Sequence, residues 1–528
     1  MTKREWVWCL GFSALLAGLT TLPYLVGYAV QGQAWRFTGF VFGVEDGNSY
    51  IAKMLSGSYG AWLFQTPYTA EHQAGVVAFL PYLLLGRLAA GAGLHEQLVA
   101  IFHLFRILVT PLAVLATYRF IGLFVQDLGW RRWATVLATV GGGLGWILVL
   151  LGKDTWLGSL PLDLYSPESF GFLAFYGLPH LVLARALLLF GLTAYLESPA
   201  DSRRGWLAGG VLLTLGLVQP LAVVSAYAVI AAHLVLTTLM NWRRHEWTVV
   251  KGWLRSAGQA VLVSSPFVIY TVVSFWQDPY LAAWSAQNRI LSPHPAHYLV
   301  AYGLMLVPGV IGGWKVLRRN GSETWLPAAW VIVLPLLAYA PYNLQRRLPE
   351  GAWVALVTLA AVGLGGWVAG RPRRRWAGLA LLAVAVPSTL LLLAGGVTTA
   401  SRPAQPVFRP AAEVAAFEWL RDEASPGSVV LAAYETSNAL PAWAPIRVVA
   451  GHGPESAGLE RLLPQVQAFY TPGESEQSRR AFLAAHDVGF VCFGPLERAL
   501  AGSGSADLGF LDQVYQAQGY EIYAVPAP

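Results

Sequence analysis

The chain has 528 residues, of which 55% are hydrophobic and 12% charged, and its mean hydropathy is +0.50. That balance excludes an ordinary soluble protein, in which about a quarter of residues carry charge. The formal charge of +6 does not indicate nucleic acid, because the basic residues stand in short clusters between apolar runs, the pattern that orients membrane proteins.

Lys3 and Arg4 precede an apolar run over about 6 to 30. The run is long for a secretory signal and lacks a small-x-small cleavage site, so an uncleaved first transmembrane helix is expected. Basic clusters follow at Arg131-Arg132, Arg203-Arg204, Arg243-Arg244 with Lys251 and Arg255, Lys315 with Arg318-Arg319, and Arg371 to Arg375. All are assigned, with Lys3-Arg4, to the cytoplasmic face. Three apolar runs separate Arg4 from Arg131, and three full crossings would put Arg131 outside. The weakest run, about 75 to 93, contains Pro81 and Arg87 and is read as a helix lying on the outer face. Residues 31–96 then form one long outer loop.

Further spans are predicted at about 97 to 125, 133 to 151, 173 to 196, 206 to 218, 221 to 240, 257 to 275, 297 to 314, 325 to 341, 352 to 369 and 377 to 396, about eleven crossings in all. The split at Gln219-Pro220 is required because both flanks of 206 to 240 are basic. The expected fold class is therefore a mainly α polytopic membrane protein over 1–400. After Ser401 long apolar runs stop, and 403–528 reads as a soluble extracytoplasmic α/β domain: helix 410–424, strands 428–433 and 447–451, helices 456–486, strand 489–494, helix 506–517 and strand 520–525. The two cysteines, Cys9 and Cys492, have no metal-ligand spacing.

Sorting polar residues by expected side gathers acids, imidazoles and a basic pair outside. Glu45 and Asp46 lie in the first polar stretch, FGVEDGNSYIAKM. A carboxylate at the water boundary avoids the several kcal/mol that burial in hydrocarbon costs. An N-cap accounts for Asp46 at a helix start but not for two adjacent acids, so a cap and a functional carboxylate both stay open. Arg346-Arg347, in APYNLQRRLPEG, breaks the positive-inside pattern. Guanidinium forks bind phosphate oxygens bidentately, which makes the pair the candidate phosphate site; a snorkelling pair at a helix end is the alternative. Asp163 and Glu168, in WLGSLPLDLYSPESF, suit Mg²⁺ or Mn²⁺, and a nearby imidazole would admit Zn²⁺; helix capping or loop polarity is the plainer account. Glu71, His72 and His180 are candidates for substrate contacts. His294 and His297, in SPHPAHY, are expected to be solvent-exposed, and His452, in VVAGHGPES, is expected in a tight turn.

The uncleaved first helix, the acidic pair in a long first outer loop, the many further spans and the outer C-terminal α/β domain together resemble the GT-C membrane glycosyltransferases, which include protein O-mannosyltransferases, aminoarabinose transferases and oligosaccharyltransferase catalytic subunits. The resemblance implies transfer of a sugar from a polyprenyl-phosphate carrier to an acceptor glycan, lipid or protein outside the plasma membrane. It implies Glu45-Asp46 as the first acidic motif, with Asp46 the base or metal ligand and Glu45 its support, Asp163 or Glu168 as the second, Arg346 or Arg347 as the donor's phosphate ligand, and either a divalent metal (Mg, Mn or Zn) or no cofactor. The C-terminal region lacks the WWD-type motif of oligosaccharyltransferases, and the first loop lacks a His-Pro-Pro-Leu run, so the acceptor stays open. A transporter or flippase is the alternative of another class, but it would place ionisable residues near midplane and repeat its halves, and neither is evident. A polysaccharide polymerase or ligase would share the carrier chemistry.

Overall fold

Apolar runs with no water to satisfy their backbone must fold as helices in a bilayer, and the computed structural model is built accordingly. It describes residues 1–242, 245–318, 321–368, 375–502 and 506–526. Arg243, Arg244, Arg319 and Arg371 to Arg374, members of the basic clusters, lie outside them. Among the described residues eight helical segments are long and apolar enough to cross a membrane: Lys3–Val30, Leu94–Gly122, Pro179–Glu197, Pro220–Trp242, Trp247–Gln277, Pro295–Leu317, Gln345–Val368 and Trp376–Ala400. The other three expected spans are the shorter helices Leu128–Val140, Arg203–Val218 and Leu326–Ala338. The expected split at Gln219 is present, one helix ending at Val218 and the next opening on Pro220, where a missing N–H costs nothing. The protein is a multi-pass membrane protein.

The chain forms two compact units interleaved in sequence: Met1–Thr21, Phe105–Thr271 and Arg289–Gly395 in one, and Leu22–Leu104, Val272–Asn288 and Gly396–Pro528 in the other. The change of composition near residue 402 therefore does not separate them, because the first loop belongs with the C-terminal region.

In the first unit, buried Arg185 on Pro179–Glu197 holds two segments at once. Its Nε donates to Glu350 Oε1 at 2.8 Å, and its Nη2 donates to the carbonyls of Pro167 and Glu168. The segment carrying Asp163 and Glu168 is thereby tied to the one carrying Arg346 and Arg347.

In the second unit, β1 (Trp35–Phe37) pairs antiparallel with β2 (Phe408–Pro410). Strands β3 (Val429–Leu431), β4 (Arg447–Val448), β5 (Val488–Phe493), β6 (Asp512–Ala517) and β7 (Tyr520–Ala524) form a sheet of order β4-β3-β5-β7-β6. β3 runs parallel to β4 and β5, and β7 antiparallel to β5 and β6. Val429, Leu431, Val466, Phe469, Leu483 and Val491 are buried in its core. The helix expected over 506–517 is a correction: 512–517 is strand β6. Gln518 and Gly519, with φ of 48° and 83°, form a two-residue turn of the primed kind that twists like the flanking strands, and this hairpin overrides the local helix preference.

The helix Val44–Ser58 carries the acidic pair. It buries Ile51, Met54 and Leu55 along one face. Its far end crosses the short helix Leu80–Gly86 so closely that a Cβ on Gly57 would lie 2.0 Å from the Leu83 carbonyl oxygen, and one on Gly86 would lie 1.8 Å from that of Met54.

Candidate active site

The acidic pair sits in the first turn of Val44–Ser58, whose N-cap is Gly43. The helix starts two residues before Asp46, so both carboxylates meet the positive end of its dipole. Both are exposed. Glu45 Oε1 accepts from the Tyr434 hydroxyl and, at 2.8 Å, from the Gly453 N–H. Burial, then the hydrogen bond to Glu45, push the Tyr434 phenol well above its ordinary value.

Below the acids the helix face is polar and closed. Asn48 Nδ2 donates to Asn438 Oδ1 at 2.8 Å. Ser49 Oγ and Lys53 Nζ both donate to Glu455 Oε1 at 2.6 Å, and Thr66 Oγ1 donates to Glu455 Oε2 at 2.6 Å. Burial pushes the Glu455 carboxyl up, but the charges of Lys53 and His452, with the hydrogen bonds of Lys53 and Ser49, outweigh it and hold the group below the usual carboxylate range.

Between Asp46 and Glu455 stands His452, its side chain 3% exposed. Its Nε2 lies 3.3 Å from Asp46 Oδ1 and its Nδ1 3.9 Å from Glu455 Oε1. The loop that carries it is fixed from several sides. Ser456 Oγ accepts from the N–H groups of Gly451 and His452 and donates to the Tyr68 carbonyl. Gln287 Nε2 donates to the carbonyls of Pro454 and Ser456, and the Tyr280 hydroxyl donates to that of Glu455. The tight turn expected at His452 is thus the wall of the acidic site. Sequence reasoning missed His452, Glu455 and Lys53; the signal within reach was His-x-x-Glu following a strand. In the same unit Glu71 and His72 are exposed, with Glu71 Oε1 3.8 Å from Arg461 Nη2.

In the first unit, Asp163 Oδ2 accepts from the N–H groups of Gly143 at 2.9 Å and Gly145 at 3.2 Å and from Ser388 Oγ at 2.6 Å. Glu168 Oε1 lies 3.3 Å from Arg347 Nε. The Nε of each arginine is buried without a hydrogen-bond partner, but Arg346 forms no ion pair among the described residues, and its guanidinium carbon lies over the Tyr165 ring, 4.5 Å from the centroid. His180 is half-buried at the start of Pro179–Glu197. His294 is exposed as expected, whereas His297 is buried, its Nε2 2.8 Å from the Trp156 carbonyl oxygen; a ring packed against Trp156 is withdrawn from solvent despite its Pro-rich setting.

No protein-family profile matches the chain, and no curated protein matches its sequence. Solved structures do. The oligosaccharyltransferase of Archaeoglobus fulgidus in its apo form superposes with a TM-score of 0.56 and 13% identity, over 97% of this chain and 74% of that one. The archaeal oligosaccharyltransferase AglB from Archaeoglobus fulgidus, in complex with an inhibitory peptide and a dolichol-phosphate, gives 0.54 and 13% over 99% and 75%. The mycobacterial arabinofuranosyltransferase AftD gives 0.54 and 14% over 100% of this chain and 42% of its own. The chain has the GT-C fold.

An Archaeoglobus fulgidus oligosaccharyltransferase structure also contains Zn and sulfate, which makes the metal expected at Asp163 and Glu168 worth testing on their donors. Asp163 Oδ2 takes three donors and Glu168 Oε1 faces a guanidinium, while Asp163 Oδ1 and Glu168 Oε2 are buried without a hydrogen-bond partner, one oxygen on each acid that a hard cation could use. Among the described residues no three His, Cys, Asp or Glu side chains gather as a ligand set.

Proposed function

We propose that this GT-C protein is a glycosyltransferase that moves a sugar from a polyprenyl-phosphate carrier to an acceptor at the outer face of the membrane, with its N-terminus cytoplasmic and the region after residue 402 outside. The observation that carries this reading is Asp46: a carboxylate more than half exposed, on the first turn of a helix whose next two turns are locked by buried polar partners. Exposure suits it to meet an acceptor, and the locked helix suits it to act as a base in a fixed place.

In the reaction Asp46 accepts the proton of the acceptor hydroxyl while the acceptor oxygen attacks C1 of the sugar from the side opposite the phosphate. The C1–O bond to the carrier phosphate breaks, and the sugar inverts. Charge develops on the leaving phosphate, a role for a guanidinium; the candidates are Arg346, which has no carboxylate partner among the described residues, and Arg347, paired with Glu168. A lipid carrier of the dolichol-phosphate kind, which AglB binds, fits a site on a chain that is mostly membrane helices.

The test is Asp46→Asn in the full-length protein in detergent, supplied with a panel of undecaprenyl- and dolichyl-phosphate monosaccharides. Release of carrier phosphate is followed with water or added hydroxyl acceptors. Loss of about 100-fold or more in turnover is expected for a positioned base. Turnover within threefold of the wild type would remove Asp46 from the chemistry.

A further inference from the structure

The acidic pair is gripped by one loop. Gly453 gives its N–H to Glu45, and the residue before it, His452, sets its ring against Asp46. The ring is unusual for a buried imidazole, because buried polar atoms almost always find a hydrogen-bond partner. His95 and His297, also buried, rest on main-chain carbonyls at 2.8 Å. Both ring nitrogens of His452 lack a completed hydrogen bond and look instead onto carboxylate oxygens, Asp46 at 3.3 Å and Glu455 at 3.9 Å.

The two neighbours are unequal. Glu455 already accepts hydrogen bonds from Ser49, Lys53 and Thr66. Asp46 is more than half exposed, where a carboxylate can meet an acceptor. The main chain of His452 is pinned by Ser456, and the ring packs against Tyr68 with centroids 5.2 Å apart, so it is the stiff member of the pair.

We propose that His452 is the positioning residue of Asp46: its Nε2 closes on Oδ1 when the acceptor arrives and fixes the direction in which the carboxylate takes the proton. Hydrogen bonds at catalytic groups are commonly long in the unliganded enzyme and tighten in the complex. This inference rests on Asp46 being the base. A carboxylate misplaced by 1 Å loses about 100-fold in rate while substrate binding stays intact.

The experiment compares Asp46→Asn, His452→Phe, His452→Gln, His452→Asn and the double variant Asp46→Asn with His452→Phe. Each is the full-length protein in detergent, assayed with the same carrier-phosphate monosaccharides and checked by size exclusion and thermal unfolding. Phe keeps a ring but no nitrogen. Gln places an amide nitrogen near the position of Nε2, and Asn places one near Nδ1. The expected result is a kcat about 100-fold lower for His452→Phe at unchanged donor KM, recovery to within tenfold in His452→Gln but not in His452→Asn, and a double variant no slower than Asp46→Asn alone.

Where Asp46→Asn is inactive, His452→Phe within threefold of wild type overturns the role of His452 and leaves the base standing. Recovery by Asn and not by Gln also overturns it, since the side facing Glu455 would then be the one that matters. An active Asp46→Asn sinks the base assignment, and the positioning role falls with it. If His452→Phe does not fold, the Gln and Asn pair decides.

Discussion

Lys53 Nζ lies 2.6 Å from Glu455 Oε1, with the two side chains 1% and 4% exposed. The lysine ammonium also lies over the ring of Phe79 at 4.4 Å, and the carboxylate spends its second oxygen on Thr66. A buried ion pair gains its stability only when its remaining hydrogen-bonding capacity is met in this way. Here it joins residues 402 positions apart in the sequence and ties the helix of the acidic pair to the loop of His452.

Removing one partner leaves the other charge buried and unpaired. Glu455→Gln and Lys53→Met are each expected to cost about 3–5 kcal/mol, while Lys53→Met with Glu455→Leu together cost less than the sum of the two. Thermal unfolding in detergent reads this. The pH dependence has a definite sign. The folded carboxyl of Glu455 is held below the ordinary value, so the unfolded chain takes up the proton more readily. The stabilisation is fully present above the unfolded value of about 4.3 and is lost as pH falls through the lowered folded value. The stability gap between wild type and Glu455→Gln therefore narrows as pH falls below about 4.3. A gap that does not change down to pH 3 would contradict this account of the pair.

The crossing of Val44–Ser58 with Leu80–Gly86 sets the depth of the acidic helix. At both contact points the partner of the missing Cβ is backbone: the carbonyl oxygens of Leu83 and Met54, at 2.0 and 1.8 Å. Backbone cannot swing aside as a flexible side chain does. Gly57→Ala and Gly86→Ala each push the helices apart and are expected to cost about 1–3 kcal/mol. Gly18→Ala, where an added Cβ meets nothing within 4 Å, serves as a control and should stabilise its helix by a few tenths of a kcal/mol to about 1 kcal/mol. Equal unfolding midpoints for the three variants would refute the close-approach argument.

The membrane architecture was legible because a bilayer leaves the backbone one answer for each long apolar run. The two shortest expected spans, 206 to 218 and 325 to 341, became short helices, and the span expected over 133 to 151 is broken between Val140 and Gly145. Glu45-Asp46 stands out in the sequence as two adjacent acids beside a long apolar segment, and the structure exposes the pair on the first turn of Val44–Ser58. His452, Glu455 and Lys53 do not stand out. Each is ordinary in its own stretch, and only pairing across some 400 residues gives it a meaning, which periodicity and spacing do not carry. The strand over 512–517 was misread because Gln and Ala favour helix locally, while the decisive signal was Gln518-Gly519 just after it.

Of the two adjacent arginines, the structure separates a committed one from an available one. Arg347 faces Glu168, whereas Arg346 lies over the Tyr165 ring and forms no ion pair among the described residues. A guanidinium over an aromatic ring still has N–H donors for another ligand, and a phosphate oxygen pair matches its fork bidentately. Arg346→Ala is therefore expected to weaken binding of undecaprenyl phosphate by tenfold or more, the worth of about 1.5–3 kcal/mol for hydrogen bonds to a charged group. Arg346→Lys keeps the charge but loses the fork and should recover only part of the affinity. Arg347→Ala frees Glu168 and should change affinity less than Arg346→Ala. Titration of each variant with undecaprenyl phosphate in detergent, followed by intrinsic tryptophan fluorescence or calorimetry, orders them. An order in which Arg347→Ala is the more damaging would transfer the phosphate to Arg347 and leave Arg346 a snorkelling side chain.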